Sequence, residues 1–247
     1  MRNPYLLLGV GLLLAGIPFA LVAYFLLDSV QLTALGLAMA ILGAVSFALG
    51  QALPAISPEV ALVLLEAGWK NIASLVEELG IRTQAIYLPS LLSGGSPQAI
   101  IPLQVNPSLH GISRNLPRRL IVKYGPGAED MGILVSTPGS VAIRLGDGNL
   151  GPQAIEMQAA LSAALVGALD VADSITVEAE EKSVRVRIAR PRLDSNGGLV
   201  VETLGTYLAS IVACFVAEAL NQPVRITDEH EEGKEHVVEL EVLLADI

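Results

Sequence analysis

Charge is nearly missing from the first 53 residues, where only Arg2 and Asp28 carry any. Ion pathways and proton relays place ionisable groups inside a membrane segment. The apolar runs at 5–27 and 30–53 contain no Asp other than Asp28 in the turn between them, and no Glu, Lys, Arg or His. That argues against transport by this segment alone. Cysteine is almost absent too. Cys214 stands alone, so neither an intrachain disulfide nor a thiolate metal cluster can form within one chain. Its neighbours Ile211, Val212, Ala213, Phe215 and Val216 are apolar, which marks an inert buried thiol. Bases are scarce, 15 against 25 acids, for a net charge of −10. Phosphates would be repelled, which excludes broad binding to nucleic acid or anionic lipid; a local basic patch is the way around this. Paired carboxylates in an apolar cleft, a serine elbow and a Walker loop are likewise missing. The sequence names no reaction and implies no cofactor.

What is present is apolar. Hydrophobic residues make up 52% of the chain and its mean hydropathy is +0.58, above the range of ordinary soluble proteins. Each early run is long enough to cross a bilayer as a helix, which takes roughly 20 residues. The first run exceeds a signal-peptide core of about 7–15 residues and a second follows at once, so a retained anchor is expected. The reading is therefore a transmembrane helical hairpin over 1–53 followed by a cytoplasmic α/β domain over 54–247, with a subdivision into 54–150 and 151–247. Arg2, Lys70 and Arg82 flank the runs on one side and Asp28 sits in the turn. By the positive-inside tendency both termini are cytoplasmic. Small residues recur at seven-residue steps, Gly9, Gly16 and Ala23 in the first run and Gly36, Gly43 and Gly50 in the second, with Ala40 beside them. They line one face of each helix and favour close packing in lipid, within the chain or between chains. Pro18 is expected to bend the first span.

Beyond the hairpin, Ser57, Pro58 and Glu59 open a helix that Gly80 closes. Strands are expected at 81–88, 99–105 and 120–124, with a polar connector at 106–119. Segments 131–137 and 140–145 read as a hairpin closed by a Pro138-Gly139 turn. Later the order helix, strand, acidic turn, strand occurs twice. It runs through 152–168, 175–178 and 184–189, then through 202–220, 224–227 and 236–243. The segment 58–105 has the same order with a longer turn. Such units cannot bury their apolar faces alone. The expected fold is α+β, with repeated α-β-β units forming a mixed or antiparallel sheet and helices on one face. Val184, Val186 and Ile188 share one face of their strand and Arg185 and Arg187 the other.

The candidate sites are few. His230 and His236 lie among carboxylates that could hold a metal, but the matching turn near Glu178 has no histidine. A solvated hairpin tip explains both turns, so no metal is expected. Arg114, Arg118, Arg119 and Lys123 form the densest basic cluster, fit to grip a phosphate, a nucleotide, anionic headgroups or an acidic turn of a neighbouring subunit. Gly146, Gly148 and Gly151 imitate a dinucleotide fingerprint without the βαβ context that would give it meaning, and read as turn glycines. The expected function is a membrane-anchored structural or interaction protein that self-associates, with membrane lipid and further copies as partners and no nucleic acid. A tethered module sensing an anionic small molecule is the alternative, and an enzyme of unseen chemistry the third.

Overall fold

The computed structural model describes residues 4–52, 58–104, 116–117, 119–146, 150–193 and 198–243. The chain divides into two compact units, Met1–Gly68 and Trp69–Ile247.

In the first unit, α1 (Pro4–Phe25) and α2 (Val30–Ala52) are antiparallel neighbours. The turn between them places Asp28 in the left-handed region at φ 46°. The Ser29 carbonyl then accepts the Thr33 amide at 3.0 Å and the Thr33 hydroxyl at 2.9 Å, which starts α2. Both helices are long and apolar enough to cross a membrane, with mean hydropathies of 2.5 and 2.2. Only 22% and 11% of these stretches are buried within the chain, so their outer faces present leucine, isoleucine, valine and phenylalanine outward. A third stretch of comparable hydropathy, Leu199–Leu220, differs in kind. It is 78% buried and supplies the core of the second unit.

Helix α3 (Pro58–Glu78) ends where the Gly80 and Ile81 amides fold back onto the carbonyls of Glu77 and Val76, at 3.0 and 3.1 Å. Gly80 takes the left-handed conformation that this helix stop requires, at φ 62°. The second unit is built on an eight-stranded sheet. Its strands are β1 (Ile86–Leu88), β2 (Gln98–Pro102), β3 (Ile121–Lys123), β4 (Met131–Val135), β5 (Ser174–Ala179), β6 (Ser183–Ala189), β7 (Val224–Glu232) and β8 (Glu235–Val242). The spatial order is β3-β4-β2-β1-β7-β8-β6-β5, and every pairing among the described residues is antiparallel. The fold class is thus α+β.

Helix α8 (Tyr207–Leu220) is the centre of the unit. The short α4 (Ser90–Ser93) follows β1 in the chain, and it is α8 that packs against β1, β7 and β8, and against α5 (Pro138–Ala142) and α6 (Ala154–Ser162). Nearly all of its side chains are buried, from Tyr207 to Ala219. Trp69 of α3 meets Tyr207 edge to face, with ring centroids 5.0 Å apart. On the opposite side of β1, β2, β4 and β3 lies a second core of Ile86, Leu88, Ile100, Val122, Tyr124 and Leu134, joined by Leu116 and Leu243. This half of the sheet is buried on both faces except along its β3 edge, where Ile121 and Met131 are exposed. The β7-β8-β6-β5 half is not. There Val184, Val186 and Ile188 are buried while Arg185 on the other face is exposed, as strict alternation requires.

Five local expectations are corrected. The segment 140–145 is not a strand. Thr137 and Ser140 form a reciprocal capping box and Pro138 occupies the first turn, so Pro138-Gly139 opens α5 instead of closing a hairpin. A short 3₁₀ turn, Ile143–Leu145, follows. The helix expected at 202–220 is two helices, α7 (Leu199–Leu204) and α8, broken at Gly205, which has φ 72°. The acidic residues Glu231 and Glu232 belong to β7, and the connection to β8 tightens to Gly233 and Lys234. Finally, only 86–88 of the strand expected at 81–88 joins the ladder. The helix expected at 152–168 widens into a π turn over Ala163–Ala168.

Candidate functional site

A part-buried polar cluster sits where the β7-β8 hairpin meets the start of α8. Glu229 accepts a hydrogen bond from the Thr206 amide at 3.0 Å and another from the Thr206 hydroxyl. The His236 Nε2 atom lies 2.6 Å from Glu229 Oε1. Burial alone would raise the Glu229 carboxyl. The hydrogen bonds from His236 and Thr206 outweigh it and hold that carboxyl below the ordinary carboxylate range. Its neighbourhood forms a cleft of ≈ 360 Å³ lined by Gln84, Glu202, Thr203, Thr227 and Asp228.

The order of these groups decides what they can do. An activated hydroxyl needs a base that takes its proton and a third group that orients the base. Here the carboxylate stands between histidine and hydroxyl, so Thr206 points its proton at Glu229 and not at the imidazole. The Thr206 oxygen also accepts the Ala209 amide at 3.2 Å as the cap of α8. The cluster is a clamp that fixes a helix start to a hairpin. A second clamp joins Glu218 of α8 to Ser90, whose amide and hydroxyl both donate to that carboxylate, at 2.6 and 2.5 Å. Sequence reasoning missed both. The signal for the first was the β8 alternation, which puts His236 on the side of Val238 and Leu240. His236 is accordingly buried at 8% exposure, which corrects its placement at a solvated tip. His230 is exposed and pairs with Asp228 at 2.8 Å. Among the described residues no three His, Cys, Asp or Glu side chains gather as a metal would require.

The face of β7-β8-β6-β5 away from α8 is a lattice of charge. Arg185 pairs with Glu239 at 2.5 Å, Arg187 with Glu178 at 3.0 Å and Arg225 with Glu241 at 2.5 Å. These partners are neighbours across paired strands, and the pairing leaves Arg225 Nε without a partner among the described residues.

Of the basic cluster, Arg114 and Arg118 lie outside the described residues. Arg119 is exposed just before β3, and Lys123 at the end of β3 donates to the Pro126 carbonyl at 3.1 Å. Of the dinucleotide-like glycines, Gly148 lies outside the described residues.

The small residues of the hairpin form its seam. A Cβ placed on Gly9 would stand 2.5 Å from the Phe47 amide nitrogen, and one on Gly16 2.8 Å from that of Ala40. On Gly36 it would meet Ala20 at 2.7 Å, on Gly43 the Leu13 nitrogen at 2.9 Å, and on Gly50 the Leu6 nitrogen at 2.8 Å. Ala23 is fully buried near the turn. The partner of each helix along this seam is the other helix of the same chain.

Taken together, the protein is an α+β domain carried with a pair of closely packed apolar helices. The chain belongs to the family described as a domain of unknown function, DUF7982, whose model matches residues 2–241. That match runs through the helical pair and the sheet alike, so both parts are features of the family. No curated protein and no solved structure matches the chain.

Proposed function

We propose that this chain is a membrane-anchored structural or interaction protein, with α1 and α2 as a two-span anchor and both termini in the cytoplasm. The observation that carries the reading is the outer surface of the helical pair. It is predominantly apolar and carries no Asp, Glu, Lys, Arg or His between Tyr5 and Phe25 or between Val30 and Gln51. Such a surface is stable against lipid and costly against water. The α-β-β order of the second unit supplies a rigid sheet with helices packed on it, a scaffold for contacts and not for a reaction.

Self-association is part of the proposal, and the geometry narrows how it works. The glycine seam is already occupied within each chain. Contacts between chains therefore fall to the outward-facing side chains of the hairpin or to the domain surface. The test uses full-length protein in native membranes. Carbonate washing should leave it in the pellet, protease added outside intact cells should spare the sheet unit, and crosslinking should give a ladder of homo-oligomers. Full-length product in the carbonate supernatant overturns the anchor, loss of the C-terminal portion overturns the sidedness, and a strictly monomeric pattern overturns self-association.

A further inference from the structure

One edge of the sheet carries an exposed apolar patch. In the register of β4 with its neighbours, Ile133 lies between Ile101 and Ile121, and Met131 pairs with Lys123. The Leu103 amide donates to the Met131 carbonyl at 3.0 Å, which extends this second row onto the β2 side. Ile101 and Ile133 are buried, but Ile121, Met131 and Leu103 are 55%, 37% and 44% exposed. Leu120, one residue earlier, is exposed as well, and its carbonyl accepts the Leu134 amide at 2.8 Å. Among the described residues β3 has no strand on its outer side.

The charge around this patch runs against that of the chain. Arg119 and Lys123 flank it and are exposed. Of the nearby acids, Asp130 is buried and accepts the Gly127 amide at 2.7 Å, so it does not face outward. Glu129 is exposed and accepts from the Gln104 side-chain Nε2 at 3.1 Å. What the edge offers outward is apolar bulk with a small excess of positive charge, in a protein whose net charge is −10.

We propose that this β3 edge docks on the surface of an anionic lipid bilayer, with Ile121, Met131 and Leu103 entering the headgroup boundary and Arg119 and Lys123 at phosphate level. Short apolar side chains between long basic ones fit that boundary, where the bases keep their charge in the wet layer. The proposal rests on the anchor reading. With the hairpin in the bilayer, docking becomes intramolecular, so a patch too small to hold a free protein suffices.

The test uses full-length protein in phosphatidylserine-containing vesicles that carry a nitroxide lipid. Ile121→Cys is labelled with a fluorophore, and Glu180→Cys in the exposed β5-β6 turn at the other edge is the control, about 34 Å away across seven strand intervals. The native Cys214 stays unlabelled, because burial pushes its thiol up to about 12. The expected result is quenching at position 121 at least about twofold above that at 180, lost when Arg119→Glu and Lys123→Glu are added. Equal quenching at the two positions in carbonate-resistant protein overturns the docking while leaving the anchor intact. Undiminished quenching in pure phosphatidylcholine overturns the anionic requirement. An unquenched label with disulfide-linked dimers through position 121 assigns the edge to a second copy and overturns the proposal. Release of the chain by carbonate overturns this proposal together with the anchor.

Discussion

Gly36 and Ala20 meet near the turn end of the helical pair, so closely that a Cβ on Gly36 would lie 2.7 Å from the Ala20 Cα. No rotamer change relieves that overlap, because the atom in the way is backbone. Gly36→Leu should therefore push the helices apart and destabilise the pair by about 1–3 kcal/mol. Gly11 lies on α1 with nothing within 4 Å of its Cβ position. Gly11→Leu should leave the thermal unfolding of the detergent-solubilised protein unchanged or slightly raised. Equal transitions for the two variants would mean that the seam does not hold the hairpin together.

The clamp between Glu229 and His236 gives the second unit a defined acid response. The Glu229 carboxyl titrates lower in the folded chain than its unfolded value of about 4.3. Its stabilising contribution is therefore complete above about pH 5 and is lost as the pH falls through the folded value. Glu229→Gln keeps the shape and removes the charge, and should cost about 1–3 kcal/mol at neutral pH. The gap between wild type and variant should close on acidification. Denaturant unfolding at a series of pH values measures it, and a gap that stays constant down to pH 3 sinks this account of the clamp.

The parts of the fold that were legible in the sequence are those set by pattern along one element. Charge-free runs marked α1 and α2, Gly80 marked the end of α3, and alternation marked the two faces of β6. The failures share a different cause. Pro138-Gly139 is a fair turn signal by itself, and it opens a helix because Thr137 and Ser140 cap one another around it. Gly205 breaks an apolar stretch that composition alone reads as one helix, since the break depends on Thr206 being held by Glu229, a residue 23 positions away. His236 looked solvated because its neighbours in sequence are acids, whereas its neighbours in space are the clamp and the core. The basic cluster was legible as charge, but its apolar partners Leu103 and Met131 join it only through strand register.

The β5 edge of the sheet carries its own protection. Gln158 of α6 reaches over it and accepts the outward Val177 amide through its side-chain oxygen at 3.2 Å. An unpaired edge amide is a template for another chain, so this contact both satisfies a donor and blocks pairing. Gln158→Leu keeps the bulk and removes the acceptor. It should lower stability by about 1 kcal/mol, the net worth of one such bond, and open the edge to other chains. Light scattering of the detergent-solubilised protein at rising concentration should then show association in the variant well before the wild type. Adding Val177→Pro, which deletes the freed amide itself, should suppress the association even though it weakens the fold further. Association that persists in the double variant would place the contact elsewhere on the surface.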